Sequence, residues 1–593
     1  MSDPRSAGLG TAQARPEESK PTAAKAVGEL ADRFWEGFLE RQPLYATFLG
    51  DERYDDRLDD PGPAGRAADE AAYREVLEGA AAIDEESLGE DDRVTLDMLG
   101  VVARIGLAQL GHRVWQLAPI DQFNGPQTLP GDLARIQRAD TPERFDRLIA
   151  RLERLPAYLQ AHESNLDEGV SEARTAAAPV IARVIEQTRR AVETPVDEAP
   201  LLVALAASLD EPQRGRLRQT LERTVRPALA HFLERLETYA PHARSGDGLW
   251  ALADGEAIYR TAILAWTTLD ADPQDLHEFG LRQLEAIDQE RAVIAAELGY
   301  RDAAAVRRSL DSDPHNYAEL PKGIVALAEA QIERAVAAAP GWFGRQPRAA
   351  CVVRAVEPFQ EQEAPPAFYL PPTADRSRPG IYYVNTYRPE SRPLHQLAAR
   401  TFHEAVPGHH FQIAIEGELE DLHPFRRHGS RLAGVAYSEG WGLYSERLAD
   451  EMGLYADARE RWGMLDAQAW RAARLVVDTG IHAFRWDRER CVQLLEQSGL
   501  SRLEAETETD RYISWPAQAL AYMVGQREIG ALRRELAERA GRDFDLRSFH
   551  DALLGHGAVP LATLRRELPR WLATEANARQ SAGPSRAAAA RGA

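Results

Sequence analysis

Phe402-His403-Glu404-Ala405-Val406-Pro407-Gly408-His409-His410-Phe411-Gln412 is the stretch from which the rest of this 593-residue chain is read. It sets a glutamate beside one histidine and brings two more histidines after a Pro-Gly break. Imidazole nitrogens ligate zinc, and a neighbouring carboxylate can take a proton from a water that the ion activates. In the HExxH arrangement the two histidines stand four residues apart on one helical face. Here the spacing is six residues to His409 and seven to His410. Seven residues of regular helix rise roughly 10 Å, whereas two ligands of one zinc, each about 2.0–2.1 Å from it, must lie much closer. An unbroken helix therefore fails. Proline inside a helix deletes a hydrogen bond and clashes with the preceding turn, and glycine tolerates unusual backbone angles. A break over 405–408 is expected to return one of His409 and His410 to the metal. His409, directly after the glycine, is the preferred ligand; spacing leaves His410 open as the alternative, and the other one would support the site or face the substrate.

A third ligand is expected from Tyr437-Ser438-Glu439-Gly440-Trp441, with Glu439 as the carboxylate and one coordination place left for water. Glu446, seven residues on and on the same helical face, can orient a ligand imidazole through its second N–H, or else pair with Arg447 on a solvated face. Glu404 is the expected general base. A developing oxyanion needs a donor besides the ion: Tyr522 is the first choice and Tyr512 the reserve. Gln518, Tyr522 and Gly525 share one face on a helical reading, which makes Gln518 a substrate contact. His482, in Asp478-Thr479-Gly480-Ile481-His482, is a further candidate for binding substrate. Tyr383 and Asn385 lie in the run Ile381-Tyr382-Tyr383-Val384-Asn385-Thr386, expected either to offer a sheet edge to an extended peptide or to be an ordinary core strand.

Outside these segments helical periodicity dominates. Apolar residues recur at three- and four-residue intervals near 26–42, 91–112, 142–163, 173–193, 214–240, 274–298 and 319–339, and again over 393–418, 431–451, 459–480, 486–497, 509–540 and 545–573. Thr141-Pro142 reads as a cap followed by proline at the first helical position. Short β-branched and aromatic runs within 348–388 predict a small antiparallel sheet beside the metal helix. The expected fold is mainly α: two helical lobes around a deep cleft. The expected divisions are an N-terminal lobe over 25–345, a metal-site lobe over 346–577, and disordered tails at 1–24 and 578–593.

The formal charge of −22, with no basic run in the sequence, argues against nucleic acid as a partner, since phosphate binding needs clustered cations. Two cysteines, Cys351 and Cys491, do not make a stapling framework. The segment after Met1 lacks an apolar h-region and no run of about eighteen apolar residues follows, so a cytoplasmic location away from membranes is expected.

The motifs HExxPGHH and EGW, as they stand at His403–His410 and Glu439–Trp441, resemble those of the bacterial family named domain of unknown function 885. Supporting stretches are Ala46-Thr47-Phe48-Leu49-Gly50-Asp51, Asp478–His482, Trp515–Tyr522, Phe549-His550-Asp551 and Gly557-Ala558-Val559-Pro560-Leu561. The resemblance implies a helical, zincin-like fold akin to zinc peptidases with two histidines and one glutamate, which enclose the site and so limit substrates to short peptides. The expected activity is zinc-dependent hydrolysis of short peptides by a metallopeptidase or carboxypeptidase-like enzyme. The alternatives are a zinc amidohydrolase acting on another small amide, or a metal-binding protein without turnover.

Overall fold

A computed structural model describes residues 22–117, 120–357, 361, 364–373 and 378–581. The chain is mainly helical, with one three-stranded sheet. Most of the expected tails, 1–21 and 582–593, lie outside the described residues; the first helix opens at Ala23 and the last runs to Ser581.

Three apolar cores hold the helices together. One gathers Phe34, Trp35 and Leu99 from the first hundred residues around Phe425. A second joins Leu148, Val184 and Phe232 to Val477, Ile481 and Tyr512. The third and largest surrounds the His403 segment, from Val94 and Tyr259 to Trp441, Leu475 and Trp571. Each core draws on residues from both sides of position 345. The helix Glu90–Gly111 is long and apolar enough to cross a membrane, yet Leu96, Met98, Leu99 and Ala103 are spent on the first core. Both cysteines are free, and Cys491 is buried.

The helix Ala458–His482 is the axis of the molecule. Almost every residue from Trp462 onward is buried, the mark of a helix covered on all sides. It feeds Leu475 to the largest core and Ala473, Val477 and Ile481 to the second. Its buried polar side chains include Gln468, Arg471 and Arg474. The helix Val435–Glu451 crosses Ala521–Ala540 so closely that a Cβ on Gly440 would sit 2.4 Å from Gly525 Cα; two facing glycines permit that approach.

Several expected helices are interrupted. The run over 142–163 breaks at Arg154 into Pro142–Glu153 and Leu155–Ser171, with Pro156 just inside the second helix. The cap is as read: Arg144 N donates to Thr141 Oγ1 at 3.3 Å. The run over 509–540 breaks after Ser514, where Pro516 and the left-handed Ala517 (φ 68°) precede a new start. Ala517 N is held there by the Asp478 carboxylate at 3.0 and 3.1 Å.

The sheet corrects one expectation. Strands β1 (Cys351–Ala355), β2 (Ala367–Leu370) and β3 (Gly380–Val384) lie in the order β1-β3-β2. β1 pairs with β3 in parallel, Cys351 opposite Gly380, while β2 pairs with it antiparallel, Leu370 opposite Ile381. The sheet is mixed because the chain leaving β1 crosses beyond β3 before turning back. As the central strand, β3 has both its edges occupied, so it offers no edge to an extended peptide.

Candidate metal centre

The His403 helix, Leu397–Glu404, ends at Glu404, and a second helix starts at His409. Between them Ala405 (φ −105°, ψ −105°), a cis Val406–Pro407 peptide and Gly408 (φ −78°, ψ −129°) turn the chain. The Glu439 helix, Val435–Glu451, clamps this break from one side. Trp441 Nε1–H donates to the carbonyls of Pro407 and Gly408 at 2.9 and 3.1 Å, and Ser445 Oγ–H donates to Phe402 O at 3.0 Å. The Phe402 and Pro407 carbonyls, freed by the helix break, thus find donors on the element that supplies the acidic side chain.

The result is a compact set of three donors. One ligand atom each from His403, His409 and Glu439 lies within 4.8 Å of the others. His403 Nε2 is 3.6 Å and His409 Nε2 3.5 Å from Glu439 Oε2, and the two rings stand nearly perpendicular, 4.9 Å apart. Tetrahedral bonds of about 2.0–2.1 Å place donor atoms about 3.4 Å from each other. The spacing therefore fits zinc, and so does the chemistry, since two histidines and one glutamate form a known catalytic donor set.

Around the donors the support is uneven. His403 Nδ1–H donates to Glu446 Oε1 at 2.9 Å, and Glu446 is wholly buried. Its other oxygen accepts from Gln468 Nε2 at 3.0 Å, and Gln526 in turn donates to Gln468 Oε1. This fixes the tautomer that leaves His403 Nε2 free for an ion. A Cβ on Gly442 would lie 2.8 Å from His403 Cε1 and Nε2, so only glycine lets the imidazole rest on this helix. His409 Nδ1, by contrast, is buried without a hydrogen-bond partner. Burial opposes charge on His403, but Glu439 and Glu446 outweigh it and lift the imidazole to about 10. Burial likewise opposes charge on Glu439, and the two imidazoles hold its carboxylate well below the ordinary range.

Other residues singled out in the sequence divide clearly. Glu404 follows His403, half-buried, with no hydrogen bond or ion pair to a described residue. Tyr522 stacks on the His403 ring at 6.3 Å between centroids. Tyr512 is buried, its hydroxyl donating to Glu508 at 2.7 Å and accepting from Arg474 Nε and Trp470 Nε1. Gln518 Oε1 accepts from Arg511 Nη2 at 2.7 Å. Because the helix breaks at 515–517, Gln518 lies in a 3-10 turn before the Tyr522 helix rather than a full turn below it on one face.

His410, Asn385 and His482 are not part of the cluster. His410 points to the sheet: Tyr369 O–H donates to its Nδ1 at 2.9 Å and its Nε2–H donates to Ala349 O at 3.1 Å. With both nitrogens used and burial lowering its pKa to about 4, it is a neutral structural imidazole. Asn385 Nδ2 donates to Glu361 O and Ala364 O while its Oδ1 accepts from Tyr387 N, which pins a loop. Tyr383 stacks on Phe368 at 4.8 Å. His482 accepts from Leu249 N and donates to Tyr512 O at 2.9 Å, buried against Tyr259. A substrate would find neither ring nitrogen free.

Sequence reasoning missed Gln468, the Trp441 and Ser445 clamp, and the pair Arg471 and Arg474. The available signal was the polar spacing Gln468, Arg471, Arg474 among the alanines of a buried helix, which places three hydrogen-bonding groups on neighbouring positions of one side.

A family model described as "Bacterial protein of unknown function (DUF885)" matches residues 43–568. No curated protein is significantly similar. Among solved structures, one described as "the putative lipoprotein from Colwellia psychrerythraea" superposes with a TM-score of 0.85 at 25% identity, covering 93% of this chain and all of that one. A second, described as "a putative lipoprotein of unknown function from Shewanella oneidensis", gives 0.73 at 20% identity over 92% of this chain and 99% of its own; it shows the shared fold.

Proposed function

This chain belongs to the DUF885 family, and we propose that it is a zinc-dependent hydrolase, a metallopeptidase that cleaves short peptides. The observation that carries this reading is the spacing of His403 Nε2, His409 Nε2 and Glu439 Oε2, with Glu404 beside them and making no hydrogen bond or ion pair to a described residue. A zinc ion held by these three residues would supply Lewis acidity, polarising a carbonyl and lowering the pKa of water toward about 7.

The remaining work falls to the chain. Glu404, without a competing partner among the described residues, accepts the proton of the attacking water and delivers it to the leaving amine. The Tyr522 hydroxyl makes no hydrogen bond to a described residue. It is available to donate to the carbonyl oxygen as negative charge develops there. Glu446, fixed by Gln468, keeps the His403 ring in the orientation and tautomer that ligation requires.

The test combines metal analysis with turnover of a short-peptide library. His403→Ala and Glu439→Ala should each lose bound zinc. Glu404→Gln should keep it while kcat falls at least about 100-fold. Purified wild-type protein that binds no zinc, or a Glu404→Gln variant of undiminished activity, would sink the reading.

A further inference from the structure

Beside the metal centre lies an excess of buried cation. Arg471 and Arg474 stand one turn apart on Ala458–His482 and are 8% and 2% exposed. Both guanidinium groups lie over the Trp470 indole, at 4.4 and 4.3 Å, so two like charges draw on one ring. Among the described residues Arg471 makes a single long hydrogen bond, to Ala467 O at 3.4 Å. Its Nη2 is 3.9 Å from Glu446, and its Nε is buried without a partner. Arg474 uses Nε on Tyr512 and Nη2 on Glu508, leaving Nη1 buried and unpaired. Nearby Arg511 also draws on Glu508, and its Nε too is buried and unpaired.

The anions do not balance this. Glu508 is shared by two guanidinium groups, and Glu446 is committed to His403 and Gln468. Buried charge without a partner is costly, and a planar guanidinium with free N–H groups is built to bind a carboxylate in a fork. The position suits a substrate end. Arg474 Cζ lies 4.4 Å over the Tyr522 ring, which stacks at 6.3 Å on His403. Those two contacts span no more than about three extended residues.

We infer that Arg471 and Arg474 bind the C-terminal carboxylate of a short peptide, so that the enzyme reads a free C-terminus and cleaves near it. The inference rests on the peptidase reading for its catalytic half, but the carboxylate subsite can be tested without metal. Binding of N-acetyl-Ala-Ala, N-acetyl-Ala-Ala-amide and N-acetyl-Ala-Asp-amide to chelator-treated protein is measured by calorimetry. Hydrolysis of longer acid and amide pairs is followed on zinc-loaded protein. The acid should bind at least about tenfold more tightly than either amide, with the same preference in kcat/KM. Arg471→Gln and Arg474→Gln should each erase that preference while zinc content is retained. Equal binding of acid and amide by the wild type overturns the inference whatever the variants do. So does an aspartyl amide that matches the acid, or a preference intact in both variants. If acid is preferred but no zinc binds and nothing is cleaved, the subsite stands and the peptidase reading falls.

Discussion

The two nitrogens of His403 have different tasks, and the difference can be measured. Nδ1 is tied to Glu446 and Nε2 faces Glu439. Replacing Glu446 by Gln removes the carboxylate that orients the ring, and zinc affinity should fall about 10- to 100-fold in competition with a chromophoric chelator, with the fold retained. The neighbouring histidines should behave oppositely. His409→Ala is expected to abolish zinc binding. His410→Ala should leave zinc content unchanged and cost about 1–3 kcal/mol in denaturant unfolding, because Ala349 O and the half-buried Tyr369 hydroxyl lose their partner. From sequence alone the pair could not be separated, since the choice depends on how the second helix is aimed after the break.

At the scale of elements, the break between the two histidine helices matters through what grips it. Trp441 donates its one N–H to Pro407 O, which the interrupted helix leaves open, and shares it with Gly408 O, which also accepts from Gln412 N. Trp441→Phe keeps most of the ring packing and removes that donor. It should destabilise the protein by about 1–3 kcal/mol and weaken zinc binding, read by thermal unfolding with and without the ion. Gly442→Ala tests the same helix from its other side. Helix propensity favours alanine by about 1 kcal/mol, yet a Cβ 2.8 Å from the His403 ring must displace it. Zinc affinity should fall although the substitution suits the helix. The small sheet shows what short-range pattern leaves out: its strand runs were legible, but their order and direction were not. A parallel or antiparallel partner imposes the same alternation on a strand, so the mixed order β1-β3-β2 had no local signature.

For the molecule as a whole, the long central helix ties distant segments together at Asp478. Its carboxylate accepts from Tyr259 O–H at 2.7 Å and from Ala517 N, joining parts of the chain more than two hundred positions apart. Burial raises its pKa to about 7 against these donors. An unfolded aspartate titrates near about 3.9, so between about pH 4 and 7 the native state binds the proton that the unfolded state has lost. Stability from this group is complete below about pH 4 and is lost as pH rises through 7, a change on the order of 4 kcal/mol. The Tm difference between wild type and Asp478→Asn, followed from pH 4 to 8, should move against the wild type across that window. A flat difference would show that Asp478 does not titrate there.

The amino-acid order determined the helical class, because apolar residues repeating every three or four positions can be buried on one face only as helices. It also marked His403, Glu404 and Glu439, whose chemistry and neighbouring glycines stand out locally, and it required that the helix between the histidines be broken. Tertiary structure decided the rest. It aimed His409 at Glu439 and His410 at the sheet, spent His482 and Asn385 on backbone groups, and gathered Gln468, Arg471 and Arg474 around the His403 side. Those outcomes depend on which helix meets which across hundreds of positions, and side-chain partners chosen at that range leave no period in the sequence.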